Sequence, residues 1–174
     1  MKQLLLLRHA KSDWSSHNSD LNRPLNQRGE TDAKLLNKWF QNNPDCHPDY
    51  ILCSPAKRAA DTLQLATQSL LPPSLIHHDE RLYLPSVSTI ITVLASIEAQ
   101  YQQVLLVGHN PGFEQLLIWL TETQPDNLKT DKTMTTCNLA KLSLPAIKDP
   151  FQPGQSELIF LKRPEDFKND LALS

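Results

Sequence analysis

Glycine is scarce in this chain, with Gly29, Gly108, Gly112 and Gly154 the only four in 174 residues. None falls in a GxGxxG or P-loop pattern, which excludes nucleotide binding through a glycine-rich loop. Cysteine is sparse too. Cys46, Cys53 and Cys137 are odd in number and lack CxxC spacing, which argues against a disulfide framework and for a reducing, cytoplasmic compartment. Cys46-His47 and His77-His78 have no second pair at zinc spacing, so neither a metal nor another cofactor is expected. A net charge of -2 and a pI near 6.3 remove any bulk attraction to nucleic acid or an anionic membrane. No apolar run approaches membrane-spanning length. A signal-peptide pattern is also missing, because Arg8, His9, Lys11 and Asp13 follow directly on the short apolar run after Lys2. Repeats, heptads and linkers are absent, so residues 1–174 are read as one domain, a monomer or weak homo-oligomer.

What the chain does have is a set of short apolar runs that end in charged or nucleophilic residues. Leu4 to Leu7 delivers Arg8-His9, Tyr50 to Cys53 is followed by Ser54-Pro55 and Arg58, and Val104 to Val107 leads to Gly108-His109-Asn110-Pro111. With Leu75 to His77 these runs are expected to be strands of a sheet covered on both faces. Helical spacing lies between them: Ala33, Leu36 and Phe40; Ala59, Leu63, Ala66 and Leu70; Val87, Ile90, Leu94 and Ile97; Phe113, Leu116, Leu117 and Leu120. Alternating strands and helices make this an α/β layered fold. Ala140, Leu142 and Leu144 alternate with Lys141 and Ser143, and with the run Ser156 to Leu161 they are expected to form short edge strands, antiparallel to the rest. The polar stretch 121–136 reads either as a lid or as a solvated loop.

In open α/β sheets, ligands bind beyond the carboxyl ends of the strands, where Arg8, His9, Arg58 and His109 are expected to meet. Ser54-Pro55 and Asn110-Pro111 each pair a capping residue with proline, so a helix should begin right after each strand and turn its N-terminus to an anion. Phosphoryl transfer needs charge stabilisation on three oxygens and an in-line nucleophile. Arg8 and Arg58 would hold the oxygens, neutral His9 would attack phosphorus, and His109 as imidazolium would donate to the transferring group. Ser12 lies close enough behind His9 to reach a phosphate oxygen or to cap a turn. Arg23 and Arg28 would either widen the positive funnel or pair with neighbours such as Asp20 or Glu30 and organise the loop, the role expected for Arg23.

The run Leu7-Arg8-His9-Ala10-Lys11-Ser12 with Trp14, Asp20, Arg23-Pro24-Leu25, Arg28-Gly29, Ser54-Pro55, Arg58-Ala59, Thr62 and Gly108-His109-Asn110-Pro111-Gly112 resembles the histidine phosphatase superfamily. Within it the likeness is to the SixA-type phosphohistidine phosphatases, in order over residues 1 to about 120. The resemblance implies a phosphoglycerate mutase-like three-layer α/β/α sandwich with a mainly parallel sheet. It also implies His9 as the phosphorylated nucleophile in a pocket with Arg8, Arg58 and His109, no metal, and phosphorylated substrates. Ala10 replaces the glycine of the superfamily signature, as is common in the SixA-like branch. Glu80 in Asp79-Glu80-Arg81-Leu82-Tyr83 is the candidate for the general acid many relatives carry, against the plainer reading of an exposed carboxylate. Met134 to Asn138 fits the corresponding stretch only loosely. The expected activity is hydrolysis of protein phosphohistidine. A small-metabolite phosphomonoesterase, or a non-catalytic phosphate-binding module, is the alternative.

Overall fold

Leu4, Leu5, Leu6 and Leu7 are all fully buried, because their strand has a packed layer on each face. The computed structural model describes every residue except 16, 123–132, 146–150 and 174. The central strand β1 (Gln3–Arg8) pairs in parallel with β4 (Gln103–Gly108), and β4 with β2 (Tyr50–Cys53). Beyond β2 lies β3 (Ile76–His78), also parallel. On the other side β5 (Leu139–Ser143) runs antiparallel to β1, and β6 (Glu157–Lys162) antiparallel to β5. The order is β3-β2-β4-β1-β5-β6.

The two-residue period of the strands divides the core in two. Leu5, Leu7, Ile51, Leu105 and Val107 point to α1 (Gln27–Asn42), α2 (Lys57–Thr67) and α5 (Pro164–Leu173), meeting Leu36, Phe40, Leu63 and Phe167. Leu4, Leu6, Leu52, Val104 and Leu106 point the other way, to α3 (Val87–Ala95) and α4 (Gly112–Thr121), meeting Ile90, Leu94, Leu116 and Leu117. Each such leucine contributes about 2 kcal/mol of burial, which makes the doubly covered sheet the main source of stability. The result is the expected α/β/α sandwich. No helix among the described residues is long and apolar enough to cross a membrane.

Three expectations are corrected, and one helix has no counterpart in the sequence reading. β5 is not the outermost strand, since β6 lies outside it; Lys141 is buried, its Nζ 3.1 Å from the carbonyl of Asp45. Leu70 and Ile97 continue the apolar faces of α2 and α3 but lie past the helix ends, still packed on the core. α2 and α4 begin after Ala56 and Pro111, with no side-chain cap, so neither Ser54 nor Asn110 is an N-cap. Finally α5 carries little periodic signal. It docks through Phe167 and through Asp170, which accepts from Trp39 Nε1 and Lys162 Nζ, both at 2.7 Å. The candidate lid at 121–136 falls largely outside the described residues.

Candidate active site

Parallel register brings the carboxyl ends of β1, β2 and β4 level: Arg8 stands opposite Gly108 and Cys53 opposite Val107. The residues that follow, His9, Ser54 and His109, therefore emerge together, and the first turn of α2 adds Arg58. An open pocket of about 350 Å³ is lined by Arg8, His9, Arg58 and His109, with Ser12, Asp20 and Arg23. The rings of His9 and His109 lie 5.0 Å apart.

His9 is held from two sides. Its Nδ1 lies 2.7 Å from the Ala10 carbonyl, which can only accept, so Nδ1 carries the proton and Nε2 keeps its lone pair. The Ala10 N–H donates to Thr62 Oγ1 at 2.9 Å, and that hydroxyl donates to the Arg58 carbonyl at 2.6 Å, tying the loop that carries His9 to α2. Gly29 allows α1 to press on the same loop, since a Cβ there would lie 2.1 Å from the Lys11 carbonyl. Asn26 caps α1 at the Gly29 N–H, and its own N–H donates to the Lys11 carbonyl.

The electrostatics favour neutral imidazoles at His9 and His109. Burial first, and then the nearby His109, Arg58 and Arg8 charges, lower His9 to about 3 against the Ala10 hydrogen bond. Burial and Arg58 lower His109 to about 4, against Asp20. The imidazolium expected for His109 is thus not the form at neutral pH in the free protein; a dianionic phosphate would favour protonation. Ser54 Oγ lies 2.8 Å from His109 Nε2 and accepts from the Ala56 N–H. A hydroxyl that donates to Nε2 fixes the proton on Nδ1, which has no partner among the described residues. Arg8 Nε and Arg58 Nε are likewise buried without a partner. Burial lowers the Arg8 pKa, and its Nη1 donates to the Met134 carbonyl at 2.6 Å.

One carboxylate sits among these cations. Asp20 accepts from Arg23 at 2.6 Å, from Arg58 at 3.1 Å and from the Tyr83 hydroxyl at 2.5 Å, and its carbonyl accepts from Arg58 at 2.6 Å. Tyr83 first, then Arg23, hold its carboxyl well below the usual carboxylate range. Arg23 also donates to Ser12 Oγ, so Ser12 lines the pocket with its hydroxyl already engaged.

The structure brings Arg8, His9, Ser12, Arg58 and His109 together. It does not bring Glu80, which is exposed at the start of the short helix Glu80–Leu82 and is absent from the pocket lining. Arg28 points to Asp32, 3.6 Å away, and does not line the pocket. Sequence reasoning missed Ser54 as the partner of His109 and Tyr83 as the partner of Asp20. It missed Glu114 as well, whose carboxylate accepts from the N–H groups of Thr133 and Met134 and from Asn110 Nδ2. Glu114 thereby places the carbonyl that receives Arg8. No local pattern announces such long-range contacts. Among the described residues no group of three histidine, cysteine, aspartate or glutamate side chains could hold a metal.

A model of the histidine phosphatase superfamily (branch 1) matches residues 4–83. The chain is 29% identical to an uncharacterised protein of Mycobacterium tuberculosis over 157 residues, 88% of this chain and 96% of that one. Its fold is similar to that of an Agrobacterium tumefaciens protein provisionally assigned as the phosphohistidine phosphatase SixA. That match has a TM-score of 0.78 and 26% identity over 94% of this chain and 99% of the other. A protein histidine phosphatase SixA solved with tungstate gives 0.77 at 23% identity, covering 94% and 98%. An Escherichia coli protein provisionally assigned as an α-ribazole-5′-phosphate phosphatase gives 0.69 at 15%, covering 94% and 97%. The last two are likenesses of fold.

Proposed function

This chain belongs to the histidine phosphatase superfamily, with a SixA-type likeness, and on that premise we propose that it removes phosphate from protein phosphohistidine through a phosphorylated His9, without a bound metal. Phosphatase chemistry follows from the family; the substrate is our reading. The observation that carries it is the proton inventory of the pocket. Asp20 is the one carboxyl among the described lining residues, and its three donors keep it ionised, while Glu80 stands elsewhere. An alkyl phosphate leaves as an alkoxide and needs a proton at once. A phosphohistidine whose second ring nitrogen is protonated leaves as neutral imidazole and needs none.

The steps balance without proton transfer from the protein. The His9 Nε2 pair bonds to phosphorus as the P–N bond to the substrate breaks, its electrons returning to the substrate nitrogen. His9 becomes a phosphorylated imidazolium, with Nδ1–H still directed to Ala10. Water then adds to phosphorus, the P–Nε2 pair returns to His9, and both water protons leave on dihydrogen phosphate. Arg8, Arg58 and His109, which takes up a proton from solvent as the dianion binds, carry the oxygens' charge.

The whole chain is read as one histidine phosphatase domain. Its three free, buried cysteines suit a reducing compartment, so we place it in the cytoplasm as a monomer or weak homo-oligomer, with no nucleic-acid or membrane partner. Small-metabolite phosphomonoesters are the second reading, which a general acid at Glu80 would favour. Phosphate release from a phosphohistidine protein and from a panel of monoesters, with chelator present and His9→Ala as control, separates the two. Chelator-resistant, His9-dependent preference for phosphohistidine is expected; preference for a monoester would overturn it.

A further inference from the structure

Two exposed apolar side chains line the pocket: Trp14, 74% exposed, and Leu84, 53% exposed. Trp14 is held by its surroundings. Asp13 before it accepts from the N–H and hydroxyl of Ser15, and the Trp14 ring lies 3.7 Å from the Arg23 guanidinium. Leu84 is held harder. Its φ is 49°, in the left-handed region, where a residue with a Cβ pays about 1 kcal/mol or more. Its neighbours fix it there: Leu82 is fully buried and the Tyr83 hydroxyl bonds Asp20. On the far side, the Pro85 carbonyl packs so close to the start of α4 that a Cβ on Gly112 would lie 2.2 Å from it. Glycine would take this conformation freely, yet a leucine stands there, half exposed beside the phosphate site. Strain maintained by its surroundings at the edge of a site is a pointer to function.

In-line displacement sends the leaving group away from His9 Nε2. Trp14 and Leu84 are the exposed apolar side chains on the lining of the pocket that His9 shares. We propose that these two side chains form the leaving-group subsite and receive the flat ring of a nitrogen-linked phosphate, the imidazole of a phosphohistidine side chain. This rests on the function proposed above and deepens it. The carbon edges and face of an imidazole pack against an indole and a leucine. A hydroxylated or carboxylated leaving group would set against them several polar atoms, of which Leu84 can bond none and Trp14 only one, through its indole N–H. Lys11, also on the lining, is the group such an acidic metabolite would use instead.

The test compares kcat/KM of wild type, Trp14→Ala and Leu84→Gly on phosphoimidazole, which has the ring, and on phosphoramidate, which lacks it. Leu84→Gly relieves the positive φ and so keeps the fold. Each variant is referred to wild type on the same compound, which cancels the compounds' different reactivities. Both substitutions are expected to lower phosphoimidazole turnover about tenfold, the loss of roughly one ring contact's worth of binding, and to leave phosphoramidate within about twofold. Equal effects on the two compounds, or none on either, overturn the subsite and leave the phosphohistidine reading standing. A wild type inert on both nitrogen-linked compounds but active on glycerol phosphate overturns both.

Discussion

Acid should weaken this fold through its own active site. His9 and His109 titrate at about 3 and about 4 in the folded chain, against an ordinary 6.5. Folding lowers both values, so as pH falls the unfolded chain takes up these protons first. The stability that depends on the neutral rings is complete above pH 6.5 and is lost progressively below it. Integrating the proton difference from pH 7 to pH 5 gives about 2 kcal/mol for each histidine and about 4 kcal/mol for the pair, a large part of a typical domain's total. Urea unfolding of wild type, His9→Asn, His109→Asn and the double variant at pH 7, 6 and 5, in phosphate-free buffer, reads this directly. Other titrating groups are common to all four proteins and cancel in the differences. Each single variant is expected to lose about 2 kcal/mol less than wild type over that range, and the double variant about 4 less. If wild type and the double variant weaken in parallel, the two rings are not held neutral by burial, and the nucleophile argument falls with them.

Further expectations concern the residues around the pocket. Asp20 occupies Arg58 with a carboxylate, so Asp20→Asn should tighten inorganic phosphate binding by several-fold while the Asp20 carbonyl still holds Arg58; weaker binding would make Asp20 a positioning residue instead. Thr62→Val removes the acceptor for the Ala10 N–H and is expected to cost about 1–3 kcal/mol of stability and to lower kcat, read by denaturant titration and steady-state rates. Glu80→Gln should change turnover of every substrate by less than about twofold, because the side chain lies outside the pocket; selective loss on alkyl phosphates would restore it as an acid.

The parts of the fold that were legible are those whose signal is local. Four leucines in a row can be satisfied only by a strand covered on both faces, and the ends of such strands in an α/β sheet converge. That logic placed Arg8, His9 and His109 together before any contact was visible. The burial of Lys141 is not legible in the sequence, because a lysine that bonds a backbone carbonyl reads there like any solvated one. Ser54 misled because serine before proline reads as a cap, whereas its hydroxyl is spent on a histidine 55 positions away. α5 was missed because Phe167 alone anchors its buried face. Glu114 and Tyr83 act through contacts across the fold, which no spacing along the chain encodes.

If phosphate passes through His9, rapid-quench trapping will catch it there. Labelled phosphoramidate is mixed with the protein in the presence of chelator, the reaction is stopped in base, and peptides are mapped for base-stable, acid-labile phosphate. One labelled site, His9, formed and discharged at a rate no slower than turnover and absent in His9→Ala, is the expected result. Turnover with no phosphoenzyme on His9, or with the label on another residue, would contradict it.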